Sequence, residues 1–340
     1  MTGFRRGAPT IPVVTPPRSR YGSLAVAHLA AFAKIIPVAL VILLGHGLRR
    51  WRLLGEATVA ELKQLIVRVT LPCLLFVAFS KVQAEARHLG LVGAMFAACV
   101  VAFLAGRALA RPLGFRERTF PTLLAGFEAG MMGYALFGAV YGQDQLYKIA
   151  LVDLGQALFV YALMMPVLER LGRGQASGAG RFLALARNPI ILAMAAGLLM
   201  RPLGLTSALA GWPVSNGLLE ALALVGGLTG PLVMIAVGYE LRLDLARVRR
   251  PALAIAARLA LWVPLAFLLV HGVARRWLGL DPGFEAALAT VIILPPPFVI
   301  PIFLPPGDRE ELRFVMDALA VATLVTVALF GVVTVAFPGR

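Results

Sequence analysis

Long stretches of this chain are almost continuously apolar, separated by short segments that carry its charges and many of its Gly and Pro residues. A helix needs about 20 apolar residues to cross the hydrocarbon core of a bilayer. Read against that length, the pattern predicts ten helical spans, at roughly 30–48, 62–80, 89–110, 119–140, 147–168, 186–204, 217–239, 251–274, 284–304 and 314–337. The runs do not alternate apolar with polar positions, so an outer-membrane barrel is excluded. Gly and Pro interrupt the fourth, seventh and ninth spans.

Composition narrows the class further. The 340 residues are 60% hydrophobic and 14% charged, and the mean hydropathy is +0.85. A soluble domain carries about a quarter charged residues, so a soluble enzyme, a disordered chain and a coiled coil are excluded. The fold class is all-α and polytopic in a membrane. Cys73 and Cys99 fall inside apolar runs and read as free packing thiols. His28, His46, His88 and His271 are too scattered to form a ligand set, and no metal site is predicted.

The net charge of +15 would suggest nucleic acid in a soluble protein. Here the basic residues lie in short loops beside anionic lipid and read as topology signals, so no nucleic-acid partner is expected. Loops after the odd-numbered spans hold 18 Lys and Arg residues, and the opposite loops with the C-terminus hold seven. The positive-inside rule makes the first set cytoplasmic in a cell (inner) membrane, with both termini outside. Arg5, Arg6, Arg18 and Arg20 in the N-terminal segment argue against that orientation. Residues 1–29, rich in Pro and Arg, read as a flexible tail and not as a cleaved signal.

The chain also resembles itself. PVALVILLGHGLRR from Pro37 parallels PIILAMAAGLLMRP from Pro189, aligning Gly45 with Gly197. TLPCLLFVA around Pro72 parallels TGPLVMIAV around Pro231, ALARPLGF parallels VARRWLGL, and KIALVD ending at Asp153 parallels RFVMD ending at Asp317. The matches are in order, at offsets of 152, 159, 165 and 164 residues. They divide the chain into a first five-helix repeat (30–169), a short Gly/Ser-bearing cytoplasmic linker (170–185) and a second five-helix repeat (186–340). Five is odd, so the second repeat must insert inverted, as in many secondary transporters.

Spans 4 and 9 occupy matching places in the two repeats, and both are broken. Span 4, LLAGFEAGMMGYALFGAVYG, carries Gly126, Gly130 and Gly133 around Glu128. In a continuous helix Glu128 would point away from the glycine face, and a lipid-facing carboxylate costs about 3 kcal/mol. A break there can turn it into a polar cavity. Span 9, VIILPPPFVIPIFLPP, carries Pro295, Pro296, Pro297 and Pro301. In an ideal helix they would free the carbonyls of Val291, Ile292, Ile293 and Pro297. Such backbone persists at membrane depth only against protein or water. Broken segments at matching positions mark a transport site. Other charges at membrane depth are Arg68, Asp153, Arg258 and Asp317. The two aspartates could pair with the arginines or carry a coupling proton. Gln156 lies one turn after Asp153.

The blocks ILLGHGLRRWRLLGEATVAELKQLIVRVTLPCLLF, RNPIILAMAAGLLM and GPLVMIAVGYEL, with the broken spans 4 and 9, make residues 33–335 similar to the auxin efflux carrier family of permeases, in its short-loop bacterial type. The resemblance implies two inverted five-helix repeats with crossing helices 4 and 9. It also implies a membrane-embedded carrier of small organic anions; the half-helix ends of the two breaks make their crossing the expected site of a mono- or dicarboxylate. Family members often carry Asn and then Gly-x-Pro in span 4, where this chain has Glu128 and Gly133-Tyr134-Ala135.

The expected function is therefore secondary transport, with no catalytic residues. The expected solute-binding set is Gly126, Glu128, Gly130, Gly133, Pro295, Pro296, Pro297, Pro301, Arg68 and Arg258, and the expected coupling set is Glu128, Asp153 and Asp317. No cofactor is implied; coupling to a proton or to sodium stays open, and with it a symporter or antiporter of the bile-acid/sodium type. The other expected partners are the bilayer and a second copy of the chain in a homodimer. A polytopic membrane enzyme is the remaining alternative, without an HExxH, GxSxG or DDxxD motif to support it.

Overall fold

A computed structural model of the chain describes residues 36–81, 85–173, 187, 189–205, 213–241, 247–305 and 307–338. The predicted tail and most of the predicted linker lie outside these residues. The described residues are helical, with no strand. The helices are α1 (Ile36–Arg50), α2 (Glu56–Ser80), α3 (Ala86–Ala110), α4 (Phe120–Tyr141), α5 (Gln143–Leu171) and α6 (Pro189–Met200), followed by α7 (Pro213–Gly227, resuming as Thr229–Glu240), α8 (Arg249–Trp277), α9 (Pro282–Ile293) and α10 (Arg309–Ala336).

Among the described residues, seven helices are long and apolar enough to cross a membrane: α2, α3, α4, α5, α7, α8 and α10. They coincide with seven of the predicted spans. α6 and α9 are apolar but shorter, at 12 residues each. In α9 the cause is visible, because Pro295–Pro297 stop the helix at Ile293 where the apolar pattern runs on.

Glycines set how closely the helices approach. A Cβ on Gly45 of α1 would fall 2.2 Å from the carbonyl oxygen of Ile235 in α7, and one on Gly238 of α7 would fall 1.9 Å from that of Ile42 in α1. Gly197 of α6 meets the Phe76 carbonyl of α2 at 2.6 Å in the same sense, and Gly226 of α7 meets Leu74 of α2. Small residues let backbones touch where no hydrophobic force pulls helices together in lipid. α1, α2, α6 and α7 thus form one packed group. The rest pack as a second group, in which Gly155 of α5 sits on the Val92 carbonyl of α3 and Gly106 of α3 on Pro121 of α4. α2 and α7 touch α5 and α4 between the groups.

Polar contacts collect the loops at two ends. At one end Arg49 donates to the Tyr239 carbonyl, Arg250 pairs with Glu117, and Arg118 pairs with Asp308. These tie the loops that follow α1, α3, α7 and α9. At the other end Lys81 pairs with Asp144, Lys148 with Asp281, and Tyr141 donates to the Phe337 carbonyl. These tie the loops after α2, α4 and α8 to the end of α10.

Candidate functional site at the crossing of two broken helices

The first broken helix is α4. Its opening turns, Phe120–Leu124, end where Ala125 turns extended. Gly126 follows at φ +73°, a left-handed conformation that glycine adopts without steric cost. A Cβ there would also fall 3.1 Å from Cγ of Pro297. Glu128, at φ −84° and ψ 63°, then caps the segment that restarts at Ala129, and its Oε1 accepts from the Met131 N–H at 3.2 Å. The second break is Leu294–Val299, where consecutive prolines cannot donate helical hydrogen bonds and Leu294, which precedes them, is held extended at ψ 153°.

The two breaks cross in direct contact. The Glu128 N–H donates to the Pro295 carbonyl at 2.8 Å, and the Phe298 N–H donates to Oε2 of Glu128 at 2.7 Å. Both oxygens of one carboxylate are therefore held by backbone N–H groups from two separate segments. Gly133 lies against the same crossing, where a Cβ would meet Leu294 at 2.7 Å.

Several carbonyls released by the breaks find donors, as burial in a low dielectric demands. Arg258 of α8 donates through Nη1 to Leu123 O at 2.7 Å, and through Nη2 to Gly126 O at 2.7 Å and Leu294 O at 3.2 Å. Its guanidinium lies over the Phe127 ring, 4.5 Å from the centroid. Trp262, one turn on, donates to Leu124 O at 2.7 Å, and Thr326 donates to Ile293 O at 2.5 Å. Of the other carbonyls expected to be freed, Val291 O takes the Leu294 N–H and Pro297 O takes that of Ile300.

Asp153 of α5 sits beside this framework. Tyr134 donates to Oδ2 at 2.6 Å and Gln156 donates to Oδ1 at 2.5 Å. Gln156 in turn accepts from the Phe127 N–H at 3.1 Å, so the aspartate braces the α4 break. An ion pair of Asp153 with Arg68 or Arg258 was one sequence expectation. The structure gives Asp153 neutral partners instead, because the Arg258 fork is turned into the two breaks.

A cavity of about 190 Å³ opens on the crossing, lined by Phe127, Glu128, Gly130, Asp153, Gln156, Tyr161 and Pro297, with Met165, Ile190 and Met194 towards the junction of α5 and α6. A second cavity of about 230 Å³ flanks Phe298 and Pro301 on the other side and holds the Lys63–Glu240 ion pair, 2.6 Å long. Both reach the end of the molecule where α5 and α7 finish. At the opposite end a separate cavity of about 420 Å³ is lined by Lys81, Asp144, Arg87 and Asp281 and includes no residue of the breaks.

The structure thus brings Gly126, Glu128, Gly130, Gly133 and Pro295–Pro297 together, with Asp153 beside them. Pro301 lies in the short turn Ile300–Phe303 and faces the second cavity. Arg258 is 2% exposed and is spent on carbonyls. Arg68 is exposed on α2, in a wide turn at Ile66–Thr70, and is absent from the lining of both cavities at the crossing. Asp317 is half-buried on α10, outside the cavity that holds Glu128 and Asp153. Sequence reasoning passed over Trp262, Tyr134 and Thr326. Only Trp262 left a signal, the four-residue spacing from Arg258 that puts both on one helix face.

In comparison with known families, a family model described as membrane transport protein matches residues 30–303. No curated protein matches the chain.

Proposed function

The chain belongs to the auxin efflux carrier family of membrane transport proteins, and on that premise we propose that it is a secondary carrier of a small organic anion, a mono- or dicarboxylate, bound at the crossing of α4 and α9 and moved by alternating access. One observation carries this reading. The Met131 and Phe298 N–H groups converge from two broken segments to hold a carboxylate, that of Glu128, beside a cavity of about 190 Å³. The restarted half of α4 presents its positive dipole end to the same place. Broken helices with this polarity are the anion sites of secondary transporters.

Inverted repeats fit the packing. Gly45 meets Ile235 while Gly197 meets Phe76, and these are corresponding pairs in the two repeats. Thr229 donates to Thr70 at 2.9 Å, joining two residues at the same repeat position, as an approximate two-fold axis between them would require. We read the Arg-rich end as cytoplasmic, so that the crossing faces the cytoplasm. A second reading, coupling to a proton or to sodium, is favoured by the acidic lining from Glu128 and Asp153.

Counterflow in liposomes tests the proposal. Purified carrier should exchange labelled malonate or another small carboxylate saturably. Absence of saturable exchange across a panel of mono- and dicarboxylates would overturn it.

A further inference from the structure

The N–H cradle at the crossing is already filled. Oε1 of Glu128 takes the Met131 N–H at 3.2 Å and Oε2 takes the Phe298 N–H at 2.7 Å. The third positive element nearby, Arg258, is committed to the carbonyls of Leu123, Gly126 and Leu294. The residues lining the cavity include two carboxylates and no Lys, Arg or His. Among the described residues, a carboxylate solute entering that space meets no unengaged cation on its walls. The N–H cradle holds a side chain of the same chemistry.

We propose that Glu128 is a resident competitor, whose carboxylate occupies the cradle in the solute-free carrier and is displaced by the carboxylate of the solute. The inference rests on the reading of the crossing as an organic-anion site and adds how that site is kept closed. The geometry allows the exchange. Glu128 already lines the cavity, and the position next to it on that wall is Gly130, where even a Cβ would stand 3.9 Å from Oε1. The displaced side chain would swing off Phe298 into this space. Its backbone N–H remains on the Pro295 carbonyl, so the crossing itself stays joined.

Occupancy by a tethered group lowers apparent affinity in proportion to the fraction of carriers whose cradle is open. Two backbone hydrogen bonds to the carboxyl group keep that fraction small. Removing the competitor should therefore tighten carboxylate binding by about tenfold.

The test titrates malonate into purified wild type, Glu128→Ala and Glu128→Gln, reading the ligand-induced thermal shift, with malonate counterflow in liposomes run on the same preparations. The half-saturating malonate concentration should fall about tenfold in Glu128→Ala, and by less in Glu128→Gln, whose amide still offers one acceptor. Glu128→Gln carries the test alone if the alanine variant does not fold. Equal or weaker malonate binding in the folded variants would overturn the proposal, and so would binding by none of the three proteins. Saturable counterflow by wild type with no tightening in the variants would sink the competitor alone. Absence of counterflow by every protein would sink the transport reading with it.

Discussion

Nη2 of Arg258 lies 2.7 Å from the carbonyl oxygen of Gly126, so a buried guanidinium on α8 caps the break in α4. The same nitrogen reaches Leu294 in α9, and Nη1 reaches Leu123. One side chain thereby holds both breaks. Arg258→Met should leave three buried carbonyls without this donor. An unsatisfied buried group costs about 1–3 kcal/mol, so the variant should lose at least about 3 kcal/mol and melt well below the wild type. Arg258→Lys keeps the charge but not the planar fork, and should melt between the two. A fully stable Arg258→Met in thermal unfolding would show that the clamp is dispensable.

Gly126 should tolerate no side chain. At φ +73° an alanine costs about 1–2 kcal/mol in backbone strain, and its Cβ would press on Pro297. Gly126→Ala should lower the melting temperature and impair transport together.

Gly133 differs, because its obstacle is a side-chain tip, Cδ1 of Leu294. Gly133→Ala should destabilise by about 1–3 kcal/mol through overpacking, and Leu294→Ala should partly rescue it. A double-mutant cycle on melting curves measures the coupling. Strict additivity would contradict the contact.

Gly45 and Gly238 each sit against backbone of the facing helix, whereas a Cβ on Gly93 of α3 would meet nothing within 4 Å. Gly45→Ala and Gly238→Ala should each destabilise the packing of α1 on α7. Gly93→Ala should be neutral or stabilising, since alanine favours a helix over glycine by about 1 kcal/mol. Equal melting temperatures for all three would refute the close-approach account.

Asp153 has neutral hydrogen-bond partners, Tyr134 and Gln156, and borders the cavity. In Asp153→Asn both partners can re-form their bonds, so the fold should persist. If this carboxylate carries the coupling proton, the variant keeps counterflow and loses pH-driven accumulation in liposomes. Full pH-driven accumulation by Asp153→Asn would remove it from the coupling path.

Much of this molecule was legible before any packing was known. Apolar run length located the helices α2, α3, α4, α5, α7, α8 and α10, because the bilayer sets one length scale for every span. The breaks in α4 and α9 were equally legible. Pro295–Pro297 forbid helical hydrogen bonds whatever surrounds them, and a charge at Glu128 among three glycines is costly in an unbroken helix. These are local costs, and a sequence states local costs directly. Which groups compensate them was decided only by tertiary structure. Arg258 looked like a solute ligand, yet it serves carbonyls as far as 135 residues away in the chain. Arg68, another charge in an apolar run, faces outward on α2 instead. Glu128 was expected in a cavity, but that its carboxylate would take an N–H from Phe298, 170 residues on, depended on α4 and α9 crossing at those residues. A freed carbonyl or a buried carboxylate requires some partner. The identity of that partner follows from how the helices pack, which periodicity along one chain does not encode.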